Sequence, residues 1–416
     1  VDVFQIIALL LTLTALASYV NCRWLKLPPM IGLMLIALGG SLLLTLGSKL
    51  GLNLEQPVRH LLLKINFSQT LLQGMLSYLL FAGSLHVDLK SLREEFWPVA
   101  ALATVGVLIS WLVVACLMTF TCHRLGVAAP LSICVLFGAL ISPTDPVAVI
   151  ALLKQSNAPK SLETRIAGES LFNDGVGVVL FTLCLESIGG AGGPALNGQG
   201  VALLALREVA GGIALGLILG WITFQLVKSV DNYHVEILLT LGLVTGGYAL
   251  ASALHTSGLL AVVAAGLMIG NTGRQYAMSE ETQRNLTLFW EIIDEVLNAL
   301  LAMMIGLQVL LIPVHKGALL AELAAVPIVL FARFVSVGAT SAALRPWSSL
   351  RPHEIKILTW GGLRGGISVA LALSLPEEPG REVLLTATYA AVIFSMGVQG
   401  STMPWLLKRT GLVQEG

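Results

Sequence analysis

Charge is what this sequence has least of. Only 12 % of its 416 residues are Asp, Glu, Lys or Arg, about half the 25 % usual in soluble domains. The 24 basic and 24 acidic residues cancel, which excludes a basic surface for nucleic acid and an acidic tail for a cationic partner. The five cysteines (Cys22, Cys116, Cys122, Cys134, Cys184) are scattered and odd in number. They form neither a metal-ligand spacing nor a disulfide framework. No His-Glu-x-x-His or comparable nucleophile-and-base set is present, so an intramembrane enzyme has nothing to work with. What fills the chain is apolar: 56 % of it is hydrophobic. The first such stretch is too long, and lacks the basic start, for a cleaved signal peptide. The chain is expected to be an all-α integral membrane protein.

A helix crosses the hydrocarbon core with about 20 apolar residues. Candidate spans fall at 3–21, 28–46, 67–86, 97–121, 130–153, 163–188, 201–227, 233–254, 258–270, 285–311, 317–344, 353–375 and 382–407, about 13 in all. Placing the first residue outside leaves about 15 Lys and Arg, Arg165 among them, in cytoplasmic loops against about 6 in outer ones. The bias predicts the N-terminus outside and the C-terminus in the cytoplasm. The uncharged stretch 189–200, rich in glycine, reads as a flexible linker. It divides a single transmembrane domain into a first repeat (about 1–188), linker and seventh span (about 189–228), and second repeat (about 229–410). An offset of seven spans predicts two six-helix repeats in opposite orientation. One detail supports that plan. The fifth span is interrupted by Ser142-Pro143-Thr144-Asp145-Pro146 and the twelfth by Gly361-Gly362-Leu363-Arg364-Gly365-Gly366. Interrupted helices in matching positions of two halves point to a transport site.

A charged side chain at mid-bilayer costs roughly 2.5–3.5 kcal/mol on insertion scales and normally faces an interior path with partners. Several stand here. The sixth span holds Glu169, Ser170, Asn173 and Asp174; the pairs 169/173 and 170/174 are four apart and share helix faces. Arg333 and Arg364 supply opposite charge, and the tenth span adds Glu291, Asp294, Glu295 and Asn298. Mutual neutralisation is the ordinary reading for Glu169 with Arg333 or Arg364. Asp174 is different, because Asn173 cannot neutralise it. An unpaired carboxylate away from water holds a proton readily, and hard cations prefer oxygen ligands. Asp174, Ser170 and Thr144 could thus form a sodium site in competition with a proton. Asp145 is either an ion ligand or a partner for facing half-helix ends. A channel would favour repeated rings of carbonyls or acids, and none repeats. The seven histidines and eight tryptophans lie mostly at span ends, as interfacial anchors.

Four segments carry a family resemblance: Ser142-Pro143-Thr144-Asp145-Pro146 with Val147-Ala148-Val149, Gly168 to Gly175, Phe289 to Asp294 with Leu297-Asn298, and Trp360 to Gly366. Together they resemble the monovalent cation:proton antiporter-1 family, the NhaP-type antiporters related to animal sodium/proton exchangers. The resemblance implies a thirteen-helix inverted-repeat fold, a homodimer, and a core domain moving against a dimerisation domain. It implies that Asp174 carries sodium or proton, with Thr144, Asp145, Ser170 and Asn173 around it. Glu169 would pair with an arginine, Arg333 or Arg364, and Asp294, Glu291 and Asn298 are accessory candidates. Asn173-Asp174, in place of two aspartates, is similar to the electroneutral branch, one cation per proton. Lithium or potassium remain alternatives to sodium. No cofactor, enzymatic activity or nucleic-acid partner is expected, only the transported sodium and protons and the lipid bilayer, which the resemblance implies is a bacterial inner membrane. Archaeal members carry an acid in the third span, in a Phe-Glu-Gly stretch; here Phe81-Ala82-Gly83 supplies none.

Overall fold

In the computed structural model the described residues are 3–50, 56, 58–59, 67–155, 158–188, 198–311, 318–344 and 351–410. Among them every regular element is helical. In chain order these are α1 (Phe4–Leu25), α2 (Pro29–Lys49), α3 (67–86), a short α4 (Leu89–Glu94), α5 (Phe96–Arg124), α6 (Leu131–Ile141), α7 (Val147–Gln155) and α8 (Lys160–Ser187). The second half holds α9 (Gly198–Ser229), α10 (Tyr233–Ala253), α11 (258–276), α12 (Glu280–Gln308), α13 (Leu319–Leu344), α14 (Pro352–Trp360), α15 (Gly366–Leu373) and α16 (Arg381–Arg409). Nine described helices are long and apolar enough to cross a membrane. Helical structure also occupies the other four predicted places, at 67–86, 131–155, 258–276 and 352–373. Residues 189–197 of the expected linker lie outside the described residues, and Gly198 already opens α9.

Local chemistry sets the ends. Pro29 and Pro352 occupy first-turn positions, where the missing N–H costs nothing. Ser279, Ser257 and Asn232 accept backbone N–H groups at the starts of α12, α11 and α10, satisfying donors that a helix leaves orphaned. Asp88 does the same for α4 and also accepts the Ser91 hydroxyl at 2.6 Å. That hydroxyl, then the two backbone N–H groups, holds the Asp88 carboxyl below the usual carboxylate range.

Packing divides the helices. α12 lies mainly on α2 and α3, and α11 on α9, α10 and α3. α13 packs on α5 and α16, α6 on α5, and α8 on α6 and the first half of α5. α1 and α9 are the least buried of the long apolar helices; their Phe4, Leu16, Leu217 and Trp221 face outward. By the charge pattern Arg165 belongs in a cytoplasmic loop. It instead lies inside α8, 8 % exposed, bound to Glu95 at 2.5 Å and Glu354 at 3.1 Å. A guanidinium's fork can engage two carboxylates at once, and here it ties α8 to the starts of α5 and α14.

Candidate functional site: two broken helices and an unpaired carboxylate

The fifth span breaks where its prolines dictate. α6 ends at Ile141 and α7 begins at Val147, because Pro143 and Pro146 cannot donate to a helical ladder. α14 stops at Trp360 and α15 resumes at Gly366, across the glycine-rich stretch. The two breaks meet. The Asp145 N–H donates to the Leu363 carbonyl at 2.8 Å, and Arg364 Nη1 donates to the carbonyls of Ser142 and, at 2.8 Å, Pro143. Ser142 caps α6 and Pro143 follows it, so a cation is placed where the helix dipole is negative.

Arg364 and Glu169 do not form the ion pair left open in the sequence. Arg333 takes that place: Nη1 and Nη2 engage both Glu169 oxygens, the second at 2.9 Å, and Nε donates to the Leu358 carbonyl at 3.2 Å. Glu169 is 2 % exposed and Arg333 6 %. Such a two-pronged pair neutralises itself and leaves Arg364 to the backbone.

Ser170, Asn173 and Thr144 come together as the sequence led us to expect. Ser170 Oγ donates to the Thr144 carbonyl at 2.6 Å. Asn173 Nδ2 donates to Thr144 Oγ1 at 2.8 Å, and its Oδ1 accepts the Thr144 N–H at 3.4 Å. Asn173 thereby spends its amide on the broken backbone rather than on Asp174. Asp145 Oδ1 accepts the Val147 N–H at 3.1 Å, capping α7 with one oxygen. Asp174 is buried, and among the described residues no hydrogen bond or ion pair reaches its carboxylate.

Asp174 lines a cavity of about 1110 Å³, together with Thr144, Asp145, Ser170, Asp294 and Asn298. The mouth carries Lys26, Lys154 and Lys160, all exposed. Asp174 stands fourteen residues into α8, roughly 21 Å along its axis, so the cavity carries water-accessible space to about mid-bilayer. At the other end Phe67 and Leu71 are buried, and the Ser68 and Ser374 hydroxyls meet at 2.5 Å. Glu291 is exposed and does not line the cavity. Among the described residues no cluster of three or more His, Cys, Asp or Glu could hold a resident metal ion.

Two polar residues of α16 escaped the sequence reading. Ser395 Oγ accepts the Arg364 N–H at 2.9 Å, and Gln399 Nε2 donates to the Trp360 carbonyl at 2.8 Å. Both satisfy backbone groups freed by the break. Their signal was present, as two polar residues in an apolar span facing one side.

The close crossing gives a direct expectation. A Cβ on Gly365 would meet the Asp145 side chain, with its Cβ at 2.7 Å and Cγ at 2.8 Å. Gly365→Ala should therefore push the two breaks apart and cost about 1–3 kcal/mol. Thermal melting in detergent reads this as a lowered transition, and a wild-type melt would refute the contact's importance.

The sodium/hydrogen exchanger transmembrane family matches residues 9–409. The Na(+)/H(+) antiporter NhaP of Pseudomonas aeruginosa is 46 % identical over 410 residues, 97 % of this chain and 96 % of that protein. The Na(+)/H(+) antiporter NhaH of Halobacillus dabanensis is 34 % identical over 99 % of both chains. The solved structure of the sodium proton antiporter MjNhaP1 from Methanocaldococcus jannaschii superposes with a TM-score of 0.77 at 19 % identity, covering 99 % of this chain and all of that one. The fold is therefore that of an NhaP antiporter. With crossed, interrupted helices and a matched family sequence over almost its whole length, this chain is a multi-pass membrane protein belonging to the sodium/hydrogen exchanger family.

Proposed function

We propose that this chain is a secondary active antiporter that exchanges sodium for protons, one for one, by alternating access. The observation that carries the reading is Asp174: a buried carboxylate without a partner, at the inner end of a cavity open to one face. Proton and sodium compete for that single charge, so loading one displaces the other. Ser170 and Thr144 supply neighbouring oxygens; the Glu169–Arg333 pair and Arg364 are scaffolding. Two inverted repeats place the crossed breaks at their shared axis, and the core helices α5–α8 and α13–α16 shift the site between faces. The Lys and Arg bias puts the cavity mouth in the cytoplasm and the N-terminus outside, in a bacterial inner membrane, where exchange serves sodium and pH homeostasis. The poorly buried α1 and α9 offer a face for a second copy, giving a homodimer.

Proton flux in proteoliposomes, with sodium, lithium and potassium gradients applied in turn, tests this. Sodium and lithium should each move protons and potassium should not. A response to potassium alone would reassign the ion, and silence to all three would end the antiporter reading. Charge balance has its own test. Asn173→Asp adds a second carboxylate beside Asp174, so exchange should become sensitive to membrane voltage, whereas wild-type exchange should not. Voltage clamped with valinomycin and potassium reads the difference, and a voltage-sensitive wild type would refute the one-for-one ratio.

A further inference from the structure

Across the cavity from α8 stands a carboxylate that the exchange just described leaves without a task. Asp294 lies on α12 and lines the same cavity as Asp174. It is fourteen residues from the start of its helix, as Asp174 is from the start of α8, so each sits roughly 21 Å along its axis. The two helices belong to different packing groups: α12 rests on α2 and α3, α8 on α5 and α6. No arginine or lysine pairs with Asp294 among the described residues. An unpaired acid at this depth is expensive and normally marks an ion path.

Two further groups point into the same space. Asn298, one turn along α12, is 7 % exposed and lines the cavity; its amide N–H donates to the Asp294 carboxylate, which leaves the amide oxygen, of the kind that hard cations take. Asp174, 8 % exposed and unpartnered, faces the cavity from the other side. Asp145, between them, lies within electrostatic range of both Asp174 and Asp294. The cavity floor thus carries carboxylates from both packing groups, and its lysines are confined to the mouth.

We propose that Asp294, with the Asn298 amide oxygen, is a second cation-binding station: it takes up sodium from the cavity and passes it to Asp174. Because α12 and α8 belong to different groups, the ion leaves Asp294 when the core helices move. Asp294 therefore governs how readily the site fills, and Asp174 governs whether anything is exchanged. This assignment rests on the antiporter reading above.

Sodium-dependent proton flux is measured in proteoliposomes with wild type, Asp294→Asn, Asp294→Ser, Asp294→Glu and Asp174→Asn. Flux by the wild type is the control: its absence defeats the antiporter reading before Asp294 is in question. Given that flux, Asp294→Asn and Asp294→Ser should raise the KM for sodium about tenfold while kcat changes by no more than about twofold, the mark of lost ground-state binding. Asp294→Glu should return KM to near the wild-type value. A KM within about twofold of wild type in both neutral variants, or a fall in kcat alone, overturns the proposal. The serine variant guards against misfolding of the asparagine one, and monodispersity after purification shows which protein is sound.

Discussion

Asp174→Asn abolishes sodium-driven proton movement in proteoliposomes, with a rate lower by at least about a hundredfold, equal to about 2.7 kcal/mol at the barrier. The size follows from what asparagine keeps and what it removes. Shape and volume stay nearly the same, and the neighbouring bonds do not depend on the carboxylate. Ser170 still donates to the Thr144 carbonyl and Asn173 still holds Thr144 Oγ1. What disappears is the negative charge for sodium and the oxygen that takes the proton. An amide cannot be protonated in this range, so no second ligand competes and nothing is coupled. Asp145 is a poor substitute, because one of its oxygens already caps α7 through the Val147 N–H. The check is flux together with folding: the variant should purify and melt like the wild type while exchange is lost. Near-wild-type exchange by Asp174→Asn would remove Asp174 from the centre of the mechanism.

The helices and their interruptions were legible in the sequence because each depends on local chemistry. Pro143 and Pro146 end a helix wherever they stand, and α6 and α7 flank the five residues expected. The unpaired state of Asp174 was legible for a related reason, since Asn173 beside it carries no charge to neutralise it and an acid within an apolar span is costly. Partner choice was not. Glu169 is 164 positions from Arg333 and further still from Arg364, and spacing along one helix says nothing about which arginine a distant helix presents. Arg364 was therefore grouped with the ion pair, although it serves the Ser142 and Pro143 carbonyls. Ser395 and Gln399 were passed over for the same reason: they answer backbone groups freed in α14, visible only once the break is folded. Arg165 looked like a loop charge until Glu95 and Glu354 converged on it. Density of charge was readable, and its pairing across the fold was not.

The Glu169–Arg333 pair carries the second large expectation. Both groups are nearly sealed from water, and their bond is two-pronged. Removing one member strands the other's charge, at a cost of about 3–5 kcal/mol, whereas replacing both by apolar residues of similar size is often close to neutral. Arg333→Met should therefore lower the melting transition strongly, and Glu169→Leu should do so as well, since Arg333 would keep only the Leu358 carbonyl. The double variant Glu169→Leu/Arg333→Met should regain most of the loss. Comparison of the four proteins gives a coupling energy free of each single change's own cost. Transport then separates scaffold from ligand. If Glu169 only holds α8 against α13, the refolded double variant exchanges sodium for protons, because Asp174, Ser170 and Thr144 are untouched. If the double variant is stable but silent, Glu169 handles the ion or the proton itself, and the pair belongs to the transport site.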